Sequence, residues 1–126
     1  MSMRSPLGRA RGLGAARSGA AHFWVQRITA IALAPLGLWF AIGIIRLAGV
    51  DYSQVKAFLG KPWNAALLVM VVLFAIWHGV LGLQVVIEDY VHGDAKKWTG
   101  LIGIRLLGGF LAVFATVSIL KVAFGG

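Results

Sequence analysis

A single histidine lies near the middle of a long apolar run, and an acid–tyrosine pair follows it at helical spacing. The segment from His78 to Tyr90 reads HGVLGLQVVIEDY. Eleven residues advance an α-helix by roughly 1100°, about 20° beyond three full turns, so Asp89 is expected on the same stripe as His78. An ionisable side chain at membrane depth is costly and usually functional. Such a histidine could ligate a metal or, together with Asp89, relay protons.

Glycine beside this histidine favours a particular ligand. Gly82 lies one helical turn after His78 and removes side-chain bulk next to it. A flat macrocycle needs such a smooth surface if it is to lie against a helix with an imidazole as its axial ligand. A neutral histidine can equally hydrogen-bond a neighbouring helix and only hold two helices together. The spacing alone leaves both interpretations open.

The composition is that of a membrane protein. Of 126 residues, 60% are hydrophobic and only 13% are charged, whereas a soluble domain is usually about 45–50% apolar. The sequence has no cysteine, which excludes disulfides, thiolate zinc sites and cysteine-ligated iron–sulfur clusters within this chain. The net charge of +8 comes from residues at chain ends and in loops. That distribution favours membrane orientation and contact with lipid over nucleic-acid binding.

Three apolar stretches are long enough to cross a bilayer, which takes roughly 20 helical residues. They cover about residues 25–48, 65–87 and 101–124. The connection over residues 49–64 carries several polar and charged residues and is predicted to be a short polar loop, and residues 91–100 form the second connection. Gly37 with Ala41 and Gly108 with Ala112 are small residues four apart, which predict close helix contacts. The sequence therefore predicts an all-α membrane protein with three transmembrane helices.

The first 20 residues differ in character from the three-helix domain predicted over residues 21–126. Their basic side chains, with no acid among them, are Arg4, Arg9, Arg11 and Arg17. A segment rich in Arg, Gly, Ala and Ser cannot bury a core, so a disordered tail is expected.

The distribution of lysine and arginine predicts the orientation. With a cytoplasmic N-terminus, the tail arginines share a side with Lys96 and Lys97, whereas Lys56 and Lys61 lie opposite. Basic residues favour the cytoplasmic side, so this is the expected topology. It gathers five polar side chains at the cytoplasmic boundary, namely Arg27, Glu88, Asp89, Tyr90 and Arg105. They could form ion pairs and reach the headgroups, or they could line a pocket for an amphipathic ligand.

The run from His78 to Tyr90, continued by VHGDA, resembles the smaller membrane-anchor subunit of succinate dehydrogenases, the respiratory complex II family. In that family a histidine twelve residues before the tyrosine of an Asp-Tyr pair ligates haem b, and the tyrosine contacts ubiquinone. The resemblance therefore implies that His78 is an axial haem ligand. It also implies that Tyr90 and Asp89 belong to the quinone site.

The segment AHFWVQRITA, residues 21–30, resembles the family's entry into its first helix. There a histidine and an arginine approach the haem propionates and the quinone pocket, which implies that role for His22 and Arg27. In the bacterial pattern the histidine precedes the arginine by six residues, whereas His22 precedes Arg27 by five. Arg27 is therefore the better matched of the two.

The resemblance also implies partners. Haem b would be shared with a second membrane-anchor subunit, the cytochrome b chain, against whose helices this chain would pack. FAD and iron–sulfur clusters would belong to flavoprotein and iron–sulfur subunits, and ubiquinone would be the substrate. This chain would not be catalytic by itself, and a bacterial inner membrane, of an alphaproteobacterial type, is expected rather than a mitochondrial one. The alternatives are a fumarate reductase anchor and a small transport or assembly protein in which His78 and Asp89 relay protons.

Overall fold

The chain is helical throughout the part that the computed structural model describes, residues 5–10 and 17–125. Its helices are α1 Pro6–Ala10, α2 Arg17–Leu47, α3 Tyr52–Leu59, α4 Pro62–Tyr90 and α5 Asp94–Phe124. Segments long and apolar enough to cross a membrane are Gly19–Leu47, Pro62–Tyr90 and Asp94–Phe124. The expected all-α architecture with three spans is confirmed.

The long helices extend beyond the apolar stretches that predicted them. Helix α4 begins at Pro62, where a proline fits because the first helical N–H has no partner within the helix. Helix α5 begins at Asp94 rather than near residue 101, with an acid in its first turn that complements the helix dipole. Gly93, with a φ of 98°, makes the turn between α4 and α5. An apolar run indicates only the part of a helix that lies in the hydrocarbon core, whereas the helix itself continues into the polar residues on either side of that run.

The N-terminal tail is described only in part. Residues 6–10 form α1, and α2 already begins at Arg17. Residues 1–4 and 11–16 lie outside the described residues. The disorder expected of the whole tail therefore stays a prediction.

The first connection is not the polar loop that its composition predicted, because it contains helix α3. Val55, Phe58 and Leu59 share one side of this helix, and they pack against Ala65 of α4 and Ala123 of α5. The Asn64 side chain donates a hydrogen bond from Nδ2 to the carbonyl of Phe58 at 2.8 Å, which joins α3 to the start of α4. The loop prediction was wrong because a short apolar stripe at helical spacing is masked by the charges around it.

Helix α4 packs against both α2 and α5 and so lies between them. Its contact with α5 is closest at Gly108, where an added Cβ would come within 2.6 Å of Val80 Cγ2. The predicted close contact at Gly108 is confirmed. A Cβ at Gly37 would meet no atom within 4 Å among the described residues, so the same small-residue pattern on α2 makes no such contact within this chain.

Gly108→Ala is expected to lower the stability of the α4–α5 pair. The new methyl group would meet the stiff Val80 side chain, and such overpacking typically costs about 1–3 kcal/mol. The measurement is the thermal unfolding midpoint of the purified protein. Gly103→Ala is the matched control, since a Cβ there meets nothing within 4 Å of it. Adding Val80→Ala to Gly108→Ala should restore stability, and equal losses from both glycine variants would contradict the contact.

Most of the surface of the spans remains open in the single chain. In the most apolar window of each span, at most 11% of the residues are buried. Large side chains such as Ile45 (74% exposed) and Leu106 (70%) point away from the other described helices. These faces require lipid or further membrane helices to cover them.

Candidate functional site

His78 lies on the side of α4 that faces α2, in the middle of the helix pair. The side chain is half-buried. Its Nδ1 atom lies 3.1 Å from the hydroxyl oxygen of Thr29, a residue only 3% exposed. The imidazole is therefore tied to α2 through one ring nitrogen. Its Nε2 atom has no hydrogen bond to another described residue and, unlike Nε2 of His22, is not enclosed.

Two glycines near this imidazole leave part of the surface of α4 without side chains. Gly82 lies about 40° around the helix from His78, and Gly79 about 100°. A Cβ added at either glycine would meet no atom within 4 Å. The helix surface at these two glycines is therefore not covered by another described residue. A half-buried imidazole next to a smooth, open helix face fits a flat macrocycle.

Asp89 and Tyr90 lie at the C-terminal end of α4, about 18 Å along the axis from His78. Both side chains are exposed, Tyr90 to 77%. Neither makes a hydrogen bond or an ion pair with another residue that the structure describes. They point from α4 in directions about 100° apart. Within this chain alone, the side chain of Tyr90 has open space around it rather than a formed pocket.

Arg27 and His22 lie on different faces of α2, about 140° apart. The Arg27 guanidinium carbon lies 4.9 Å from the centre of the Phe23 ring, on an exposed face of the helix. His22 instead lines a groove on the other side, and its Nε2 atom is buried with no hydrogen-bond partner. The two residues therefore extend from different faces of α2, and the role that the resemblance implies for them stays a prediction.

The groove beside His22 has a volume of about 1090 Å³ and runs between α2, α4 and α5. Its polar end is a hydrogen-bonded chain. Arg105 Nη2 donates to Gln84 Oε1 at 3.2 Å, and Gln84 Nε2 donates to Glu88 Oε1 at 2.9 Å. Arg105 thus reaches Glu88 only through Gln84. Sequence reasoning missed this role of Gln84, although its position four residues before Glu88 is the spacing at which helix side chains meet.

The sequence matches, over residues 1–120, the family model described as succinate dehydrogenase/fumarate reductase transmembrane subunit. The chain belongs to this family. A match of that extent includes all three spans except the last residues of α5. It agrees with the resemblance carried by His78, Asp89 and Tyr90.

Curated relatives are similar over most of their length. A succinate dehydrogenase hydrophobic membrane anchor subunit of Rickettsia bellii is 34% identical over 103 residues, 82% of each chain. The Paracoccus denitrificans protein of the same name is 32% identical over 93 residues, 74% of this chain and 72% of the relative. A succinate dehydrogenase membrane anchor subunit of Reclinomonas americana is 33% identical over 94 residues, 72% of this chain and 78% of the relative. With three spans in a membrane-subunit family, this chain is a multi-pass membrane protein.

Proposed function

We propose that this chain is the hydrophobic membrane-anchor subunit of a succinate dehydrogenase, a subunit that is not catalytic by itself. The observation that carries the proposal is the similarity, over 82% of both chains, to a relative of that name. The described residues contain three candidate spans, and without cysteine the chain cannot ligate an iron–sulfur cluster by thiolates. Flavin and iron–sulfur clusters would reside in flavoprotein and iron–sulfur subunits, which this chain would hold at the membrane.

The face around His78 fits a shared b-type haem. The His78 imidazole would supply one axial ligand, and Gly79 and Gly82 would leave space for the ring. The second axial ligand would come from a second anchor subunit, because His78 is the histidine deep within a span. When bound, the haem would supply a one-electron centre within the membrane.

Tyr90 and Asp89 would form part of the ubiquinone site. Their exposure in the single chain supports a site completed by partner subunits, since both side chains remain free of other described residues. The Tyr90 hydroxyl would donate a hydrogen bond to a quinone carbonyl. Asp89, which leaves the helix in another direction, would orient a basic group or relay protons.

The tail arginines and Lys96–Lys97 support a cytoplasmic N-terminus. Tyr90 and Asp89 then lie at the cytoplasmic boundary, where electrons from succinate would arrive. The relatives in Paracoccus and Rickettsia support a bacterial inner membrane. The curated names favour succinate oxidation, whereas the family description also includes fumarate reductases.

Purification of the tagged chain from its membrane in mild detergent tests this function. A flavoprotein and an iron–sulfur protein should co-purify, together with succinate-dependent quinone reduction and the optical spectrum of a low-spin haem. Faster fumarate reduction by a low-potential quinol would assign the fumarate reductase alternative. A chain that purifies without flavin or succinate-dependent activity would refute the proposal.

Arg27 is expected to raise the reduction potential of the haem by placing a positive charge near its propionates. Arg27→Gln should therefore lower that potential. A unit charge about 10 Å away contributes roughly 1–2 kcal/mol at an effective dielectric constant of about 20, which is tens of millivolts for one electron. The measurement is a redox titration of the purified complex. Arg46→Gln is the matched control, because Arg46 lies about 28 Å along the same helix. Equal potentials in the two variants would place Arg27 away from the haem.

A further inference from the structure

The Thr29 hydroxyl lies within hydrogen-bond distance of two groups, a carbonyl of α2 and the imidazole of His78 in α4. The Thr29 Oγ1 atom donates to the carbonyl oxygen of Gln26, three residues earlier in α2, at 2.9 Å. The same oxygen lies 3.1 Å from Nδ1 of His78. A carbonyl oxygen cannot donate and the hydroxyl has one proton. Both contacts are therefore hydrogen bonds only if Thr29 donates to the carbonyl and accepts from the N–H at Nδ1 of His78.

The direction of this bond determines the tautomer of the imidazole. If Thr29 accepts, Nδ1 of His78 carries the ring proton. In a neutral imidazole the other nitrogen, Nε2, then keeps its lone pair. That nitrogen is the one without a hydrogen bond to another described residue. The bond thus leaves Nε2 free to bind a metal and fixes the plane of the ring.

The surroundings of Thr29 make this arrangement stable. Thr29 is 3% exposed, so water does not compete for its hydroxyl. Its β-branched side chain has restricted rotamers in a helix, and a bond to the carbonyl of residue i−3 selects one of them. The pair links α2 to α4 across 49 residues of sequence.

We propose that Thr29 is a positioning residue for haem ligation: its hydroxyl accepts a hydrogen bond from the N–H at Nδ1 of His78, which would leave the lone pair of Nε2 available to the haem iron. The inference rests on the proposed function, since it requires His78 to be the ligand. An acceptor behind a ligating histidine orients the ring and raises its basicity. A more basic ligand favours ferric iron, so the Thr29 hydroxyl should lower the reduction potential of the haem.

The test compares Thr29→Val with Thr29→Ser in the purified complex. Valine keeps the shape of threonine and removes the acceptor, whereas serine keeps the hydroxyl. Thr29→Val should raise the haem reduction potential and alter the electron paramagnetic resonance g-values of the ferric haem. Haem affinity should fall by roughly 10- to 100-fold, the usual cost of losing such a partner, measured as the haem-to-flavin ratio under limiting haem. Thr29→Ser should restore all three quantities.

Thr99→Val is the matched control, because the Thr99 hydroxyl donates to the Ala95 carbonyl within α5 and contacts no imidazole. It should leave the g-values and the potential unchanged. If the loss of a threonine hydroxyl only destabilised a helix, Thr29→Val and Thr99→Val would both impair assembly, and serine at position 29 would not reverse the effect.

Two results would overturn the assignment. One is a Thr29→Val complex with unaltered g-values and potential, while a His78 variant loses the low-spin spectrum; this refutes the role of Thr29 and leaves the proposed function intact. The other result comes from the unsubstituted complex, so it tests the role of Thr29 even if the Thr29→Val complex does not assemble. In a structure of the haem-loaded complex, ligation through Nδ1, or a distance from Nδ1 to Thr29 Oγ1 beyond hydrogen-bond range, would refute the proposal.

Discussion

His78→Leu is expected to abolish the low-spin haem spectrum of the assembled complex. Leucine offers no lone pair, so one axial position would lose its nitrogen ligand and the iron would become high-spin or the haem would be lost. The measurements are the reduced-minus-oxidised optical spectrum and the ferric electron paramagnetic resonance signal. Succinate oxidation by an artificial acceptor should persist, because in the proposed complex flavin and iron–sulfur clusters would belong to other subunits.

His92→Leu provides the control for this substitution. His92 is an exposed residue of the turn between α4 and α5, so the same chemical change there should leave the haem spectrum as it is. An unchanged low-spin signal in His78→Leu would show that the iron is ligated elsewhere. His78 would then serve only to join α4 to α2 through Thr29.

The three spans were predictable because a bilayer demands long uninterrupted apolar helices, and that signal extends over more than 20 residues each time. Helix α3 was not predicted. Its apolar side consists of only three residues, Val55, Phe58 and Leu59, and what stabilises it is their packing on Ala65 and Ala123. Such a short helix depends on distant parts of the chain, which a local pattern does not contain.

Small-residue pairs show the same limit. Gly108 lies in close contact with Val80, whereas Gly37, in an equivalent pattern on α2, meets no described atom. Two small residues four apart indicate that a helix face is smooth, but they do not indicate which helix packs against that face. No sequence feature of this chain alone distinguishes Gly108 from Gly37.

Some residues of the candidate site were likewise predictable from the sequence, and others were not. His78 was predictable because an isolated ionisable residue in an apolar span stands out. Thr29 was not, because a threonine in a helix is common and its role follows from a contact across 49 residues. The family resemblance implied a shared role for His22 and Arg27, and five helical residues turn them about 140° apart, so they extend from different faces of α2.

Tyr90→Phe is expected to reduce quinone reduction while leaving succinate oxidation by an artificial acceptor unchanged. Tyr90 lies about 18 Å along α4 from His78 and about 120° around it, so the proposed quinone site would be separate from the haem. A quinone oxygen gains negative charge as electrons arrive, and a phenol hydroxyl placed there stabilises it. Loss of one such donor typically lowers a rate by roughly 10²-fold. Phenylalanine keeps the ring, so packing is preserved and the change isolates the hydroxyl.

The chain contains one other tyrosine, Tyr52, which makes Tyr52→Phe the matched control. Tyr52 is 67% exposed at the start of α3, at the opposite end of the spans from Tyr90. In the proposed complex the succinate-oxidising subunits would lie at the boundary that carries Tyr90, so Tyr52→Phe should change neither activity. An alternative role for Tyr90 is to anchor the helix with its hydroxyl among lipid headgroups. That role would follow if Tyr90→Phe kept both activities and the apparent affinity for quinone, since an anchoring ring tolerates the loss of a hydroxyl that a reacting quinone does not.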